Sequence, residues 1–287
     1  MINLNDFREN IYQNEGLREC PHYGEDGVIL KIFEIIKPNK KPLIIEFGET
    51  RSLGTSTRSF RIKFKSRSIY FTGDLTLKST ILNILDIFKI TFKRVNIFYL
   101  KFLINLPFKF FVTPNNIIDL LKNKKVNNID ILTIDIDSYD YYIAKEILSN
   151  NYLPVLLILE YNYNLGYEKS LTLPYPTKDS EINKIVYGGL DNKINKRVYG
   201  ASFNALYNLA TSYNYKLVHI SGFCNLFFIR HDYQHLFSKP DLNKDLIRNN
   251  EDINIFLKNY CQKGFYPSWY NEKALEDSDL KYFKSVE

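Results

Sequence analysis

The 287-residue chain holds three cysteines, Cys20, Cys224 and Cys261, far apart and with no Cys-x-x-Cys pair. That scarcity excludes a cysteine-ligated zinc module and a disulfide framework, and it makes a reducing cytoplasm the simplest expected compartment. Uninterrupted basic runs are also missing, although the net charge is +6. Without such runs, RNP-type aromatics or a zinc finger, no nucleic-acid partner is expected; diffuse positive charge suits a phosphorylated or otherwise anionic substrate. The first residues, MINLNDFREN, lack the basic-then-apolar pattern of an export signal. No apolar run is long enough to span a bilayer. The most apolar stretch, Ile97 to Val112, is broken by Lys101, Pro107 and Lys109, and it is expected to be buried core or a lid packed on it.

What is present suits a folded globular chain: 45% hydrophobic and 24% charged residues, enough to bury a sizeable core. Four short runs rich in β-branched or aromatic residues predict strands at Pro42 to Glu46, Ser68 to Phe71, Ile129 to Asp135 and Val155 to Glu160. The last two are apolar without alternation, as expected for parallel strands covered on both faces. Helical patterns fall at Gly27 to Ile36, Asn115 to Lys122, Asp140 to Ser149 and Ser202 to Ser212. Two further strands, Tyr215 to Ile220 and Asn225 to Arg230, flank a short SGFC connection that permits a hairpin. The alternation of strands and helices predicts an α/β, Rossmann-like fold. The expected sheet is mostly parallel and seven-stranded, with a C-terminal antiparallel hairpin and a helical tail. The expected division is a domain over 1–231 with an insertion at 163–198, followed by an extension over 232–287 packed on it.

In open α/β sheets, ligands bind beyond the carboxyl ends of the strands, near the point where strand order reverses. The chemistry should therefore lie in what each strand ends with. The first ends in Glu46-Phe47-Gly48-Glu49, an acid and a glycine where the chain must turn tightly beside a cofactor. The second leads to Gly73-Asp74, and Asp74 is placed to accept both ribose hydroxyls of a nucleoside. The third, IDILTIDID, ends in Asp135 and Asp137, which are expected to share a face because side chains two apart in a strand point the same way. The fourth ends in Glu160-Tyr161-Asn162. Carboxylates from neighbouring strand ends repel one another unless a cation, a cationic substrate group or a shared proton intervenes. That predicts either a hard divalent ion such as Mg²⁺ or Mn²⁺ on oxygen ligands, or a general base for a hydroxyl proton. Asp140, at the start of the next helix, is expected to be a cap. His22, His219, His231 and His235 are weaker base candidates.

At these residues the chain resembles the FkbM-like family of S-adenosylmethionine-dependent methyltransferases, especially the branch associated with surface polysaccharides. The blocks that carry the resemblance are YGEDGVILKIF, IIEFGE, FVTPNNIIDLL, IDILTIDIDSYDYY, LLILEYN, YGASFNALYNLA and CNLFFIRHD, between Tyr23 and Asp232. The resemblance implies a class I methyltransferase domain over 1–231 that transfers a methyl group to a hydroxyl of a sugar or nucleotide-linked sugar, with 163–198 on the acceptor side. By it Glu25 and Asp26 fall in the segment that closes over the cofactor, Glu46 and Gly48 in the cofactor loop, and Asp137 and Glu160 where related sugar methyltransferases place metal or catalytic acids. From the strand ends themselves, Glu49 and Asp74 are the further expected cofactor contacts, Asp74 standing two positions beyond the family's usual acid, and Asp135 is the further expected catalytic acid. A cation on Asp137, Glu160 and Asn162 is expected with it, and a homo-oligomer is compatible. Two other classes stay open. Asp135-Ile136-Asp137 also reads as the DxD motif of a metal-dependent glycosyltransferase, and the bulky ETRSLG segment after Phe47-Gly48 suits a non-catalytic binding protein on the same fold.

Overall fold

The computed structural model describes residues 25–38, 41–48, 56–72, 108–109, 111–166, 168–176, 198–221, 225–238 and 275–287. In chain order the regular elements are α1 (Glu25–Ile36), β1 (Leu43–Phe47), α2 (Arg58–Phe64), β2 (Arg67–Thr72), β3 (Phe108–Lys109), α3 (Ile117–Asn123), β4 (Ile131–Ile134), α4 (Asp140–Ser149), β5 (Leu156–Glu160), β6 (Leu171–Thr172), α5 (Phe203–Ser212), β7 (Tyr215–Ser221), β8 (Asn225–Arg230) and β9 (Lys284–Ser285).

The main sheet runs in the order β3-β2-β1-β4-β5-β8-β7, and β3 adds only two residues at its edge. The strands β3, β2, β1, β4 and β5 are mutually parallel; β8 is antiparallel to both β5 and β7. A second, small antiparallel sheet joins β6 to β9. The result is a mixed α/β arrangement with a mostly parallel sheet, compatible with a Rossmann-like fold.

All residues of β1, β4 and β5 are buried, because helices cover both faces. On one face Ile45, Phe47, Leu132, Ile134, Leu157, Leu159 and Phe228 pack with α3, α4 and α5. On the other, Ile44, Ile131, Leu156, Ile158, Phe227 and Ile229 pack with α1 and α2. The unbroken apolar runs predicted this double cover. Element bounds agree with the expected ones to within a few residues, and α4 spans the expected Asp140 to Ser149.

Four elements are not expected from the sequence: α2, β3 and the paired strands β6 and β9. The extension after Asp232 is tied to the domain at two places among the described residues. Phe237 is buried in the α1-side core, and β9 pairs with β6 while Val286 N–H donates to the Ser170 carbonyl at 3.0 Å. A boundary at 231/232 thus cuts a packed segment, since Asp232 also pairs with Arg230 at 2.8 Å. Within the expected insertion, Leu165, Leu173 and Val198 are buried in the α4-side core; 177–197 lies outside the described residues. So do most of the apolar stretch 97–112 and all three cysteines.

Strand order reverses between β1 and β4, whose outward neighbours are β2 and β5 respectively. The crevice beyond the carboxyl ends of these two strands is where such sheets bind ligands.

Candidate functional site at the β1/β4 switch point

Three acids meet there. One carboxylate oxygen from each of Asp135, Asp137 and Glu160 lies within 4.8 Å of the others; Glu160 is buried, the two aspartates half-buried. The geometry that joins them differs from the expected one. β4 ends at Ile134, and Asp137 has a left-handed backbone with φ 53°, so strand alternation does not align Asp135 with Asp137. A tight turn does. Asp140, fully buried, accepts from the Ile136 amide at 2.9 Å and the Ser138 amide at 3.0 Å. That clamp coils 135–139 and swings Asp137 back toward Asp135. Asp140 is therefore structural as expected, but it holds the loop; the N-cap of α4 is Tyr139, with no side-chain capping bond.

The electrostatics follow from crowding. Burial holds Glu160 well above the usual carboxylate range, and Asp135, Asp137, Asp140 and a side-chain hydrogen bond shared with Asp135 push in the same direction. Burial also raises Asp140, while the Ile136 and Ser138 amides oppose it. Like charges this close need a counter-ion or a shared proton. The donor set suits a hard divalent ion: carboxylate oxygens only, from two strand ends.

On β1, Gly48 has φ 103°, and a Cβ there would lie 1.4 Å from the Asp135 carbonyl oxygen. Gly48 is thus demanded by the close passage of β1 and β4, which brings the first turn against the acid loop. Glu46 is buried and accepts from the Thr57 hydroxyl at 2.7 Å. Thr57 in turn lies 3.3 Å from the Tyr70 hydroxyl, which accepts from Arg61 Nη1 at 2.8 Å. Arg61 is fully buried; the chain Arg61–Tyr70–Thr57–Glu46 places a positive charge beneath the β1 tip and offsets the cost of burying Glu46.

Glu25 and Asp26 open α1 and are buried. Glu25 Oε1 accepts from Asn225 Nδ2 at 2.8 Å and Asp26 Oδ2 from the Ser59 hydroxyl at 2.7 Å. They tie the start of α1 to β8 and α2. Asn162, expected beside the acids as a cation ligand, has its side-chain amide engaged by Asn164 and by the Tyr199 carbonyl. Its Oδ1 accepts from Asn164 N at 3.0 Å and Nδ2 at 2.9 Å, and its own Nδ2 donates to the Tyr199 carbonyl at 2.9 Å. Glu49 and Asp74 lie outside the described residues, as does His22. His219 is buried with its ring 5.4 Å from that of Phe227, and His231 and His235 lie in an exposed 3₁₀ turn.

Thr57, Arg61, Thr133 and Asn225 escaped the sequence analysis. Thr57 is the N-cap of α2 and Arg61 lies within this seven-residue helix, whose apolar residues Phe60, Ile62 and Phe64 alternate with polar ones instead of following a helical period. The other two are single polar residues in apolar strands, whose neighbours depend on register. An open cleft of about 540 Å³ between the C-terminal ends of α1 and α2, lined by Phe33, Lys37, Lys63 and Lys65 among others, lies toward the opposite end of the sheet. Lysines there complement helix C-termini.

Comparison of the chain with protein-family models and with curated proteins finds no match.

Proposed function

We propose that the protein is an S-adenosylmethionine-dependent O-methyltransferase of class I architecture acting on a hydroxyl of a sugar, in particular a nucleotide-linked sugar of surface-polysaccharide synthesis. A divalent cation, Mg²⁺ or Mn²⁺, at the acid loop belongs to the proposal. The observation that carries it is the meeting of Asp135, Asp137 and Glu160 within 4.8 Å beside the Gly48 turn, where the sheet order reverses.

Glu46 and Gly48 are the described residues that would hold the cofactor, with Glu49 and Asp74 as the further expected contacts. When bound, the cofactor supplies an electrophilic methyl group and the cation lowers the cost of removing a hydroxyl proton. The chain's own residues do the rest. Asp135 and Asp137 hold the acceptor side by charge and hydrogen bonding, and the Asp140 clamp fixes their separation. Glu160 would serve as the third carboxylate on the cation; where no cation is bound, its raised proton affinity suits it instead to take the hydroxyl proton, and well-placed base catalysis contributes a factor of about 10² to 10⁴. Thr57 and Arg61 fix Glu46 so that the first turn keeps one geometry, and fixed geometry is worth much in a bimolecular displacement.

A second reading has its own observation: both acids of Asp135-Ile136-Asp137 lie in the cluster, as a metal-dependent glycosyltransferase requires. Calorimetry separates the two. Binding of S-adenosylmethionine and S-adenosylhomocysteine supports the methyltransferase. Metal-dependent binding of a nucleotide sugar with no response to either adenosyl compound supports the glycosyltransferase. Silence toward all of them leaves a non-catalytic binding protein.

A further inference from the structure

We infer that Asn225 completes the cation site as a neutral oxygen ligand, aimed by Glu25. The inference rests on the proposed cation at Asp135, Asp137 and Glu160 and names a fourth protein donor for it.

Asn225 opens β8 and is the register partner of Glu160 across the antiparallel β5–β8 pair. Directly opposed residues project from the same face with Cβ atoms about 4.5 to 5.5 Å apart, so the amide stands beside the Glu160 carboxylate. The face is the α1 side, shared with Ile158 and Phe227. Asn225 is only 2% exposed. Its two ends are not equivalent: Nδ2 donates to Glu25 Oε1 at 2.8 Å, and a carboxylate can only accept, which fixes the amide orientation chemically. The opposite end, Oδ1, is buried and has no hydrogen-bond partner among the described residues. One rung below, on the same face, the Thr133 hydroxyl is also buried without a partner.

A buried carbonyl oxygen left open beside a carboxylate costs free energy unless something binds it. Beside three acids, the group that answers an oxygen acceptor is a cation. Neutral oxygen is also the right fourth donor: hard divalent ions take six or more oxygens, and a fourth carboxylate would deepen the repulsion already present. Four protein oxygens leave positions for water or for a substrate hydroxyl. The hydrogen bond from Asn225 to Glu25 then acts as the outer support that orients a ligand, which accounts for a buried acid at the start of α1.

The test is Mn²⁺ binding to the full chain, followed by electron paramagnetic resonance and calorimetry, with circular dichroism as a check on folding. Asn225→Leu is expected to weaken Mn²⁺ at least tenfold, and Asn225→Ala should do the same if leucine disturbs the fold. The double variant Glu25→Gln with Asn225→Asp reverses the donor and acceptor of the hydrogen bond, conserves total charge and keeps an oxygen at the site. Because it restores an oxygen donor, although as a fourth carboxylate that lowers metal-free stability, it is expected to bind Mn²⁺ at least tenfold more tightly than Asn225→Leu. Unchanged Mn²⁺ affinity in Asn225→Ala overturns the inference and leaves the three-acid site standing. A double variant that folds but binds no better than Asn225→Leu also overturns it. If the unmodified chain and Asp137→Asn alike bind no Mn²⁺, the cation proposal itself fails, and the Asn225 role falls with it.

Discussion

At the residue scale, Glu160 governs how the protein responds to pH. In the native state it keeps its proton to a pH well above the ordinary carboxylate value of 4.5; unfolded, it titrates near that value. Between the two the native state binds more protons than the unfolded one, so stability falls as pH rises through that window. Asp140, also raised, contributes with the same sign. Asp232, lowered by its bond to Arg230, acts in the opposite sense, losing its contribution as pH falls through the acidic range. Melting temperatures measured by circular dichroism in a chelating buffer are therefore expected to decline from pH 5 toward pH 8. Glu160→Gln should flatten that decline, and a profile that Glu160→Gln leaves unchanged speaks against a raised Glu160.

Asp137 offers a second test. Asparagine tolerates the left-handed backbone at φ 53° and removes one of three crowded charges. Asp137→Asn is expected to raise the metal-free melting temperature at pH 8 while abolishing turnover and divalent-cation binding and sparing affinity for the adenosyl cofactor. A metal-free protein that melts lower than the unmodified chain would show that the three acids do not strain one another.

At the element scale, the site depends on turns more than on strands. Gly48 and the 135–139 loop interlock, and Gly48→Ala sets a Cβ 1.4 Å from the Asp135 carbonyl on a backbone that side chains rarely adopt. A loss of about 2 to 4 kcal/mol is expected from strain and overpacking together, measurable by urea denaturation, and cation binding should fall with it. Ser202 caps α5: its Oγ accepts from Ala205 N at 3.3 Å and Leu171 N at 2.9 Å, and it donates to the Lys169 carbonyl. Ser202→Ala should cost about 1 to 2 kcal/mol without touching the acid loop, so cation affinity is expected to hold.

Elements with long apolar runs were the legible ones. β4, β5, α4, α5 and the β7–β8 hairpin followed from hydrophobic pattern and cap residues. The short α2 and the two-residue β3 did not, because a few residues carry too little periodicity to distinguish them from loop. The acids of the site were visible as strand tips. Their arrangement was not: the left-handed Asp137 turn depends on Asp140 reaching back to two amides, and Asn225 meets Glu160 only through hairpin register.

At the scale of the whole molecule, the order β3-β2-β1-β4-β5-β8-β7 collects those tips on one rim. Tip residues far apart in sequence, Glu46, Asp135 and Glu160, become neighbours through strand adjacency: β1 beside β4, and β4 beside β5. The sequence as a whole carries a net charge of +6, against the acidic character of the rim itself. A net positive charge favours an anionic substrate such as a sugar nucleotide, and its affinity is expected to weaken with added salt.

The most direct measurement is transfer of labelled methyl from S-adenosylmethionine to a panel of nucleotide-linked sugars in the presence of Mg²⁺ or Mn²⁺, run with the unmodified chain and with Asp137→Asn. Label is expected on at least one sugar hydroxyl, lost in Asp137→Asn although S-adenosylhomocysteine still binds. A chain that binds neither adenosyl compound, yet binds or cleaves a nucleotide sugar when metal is added, would contradict the methyltransferase assignment.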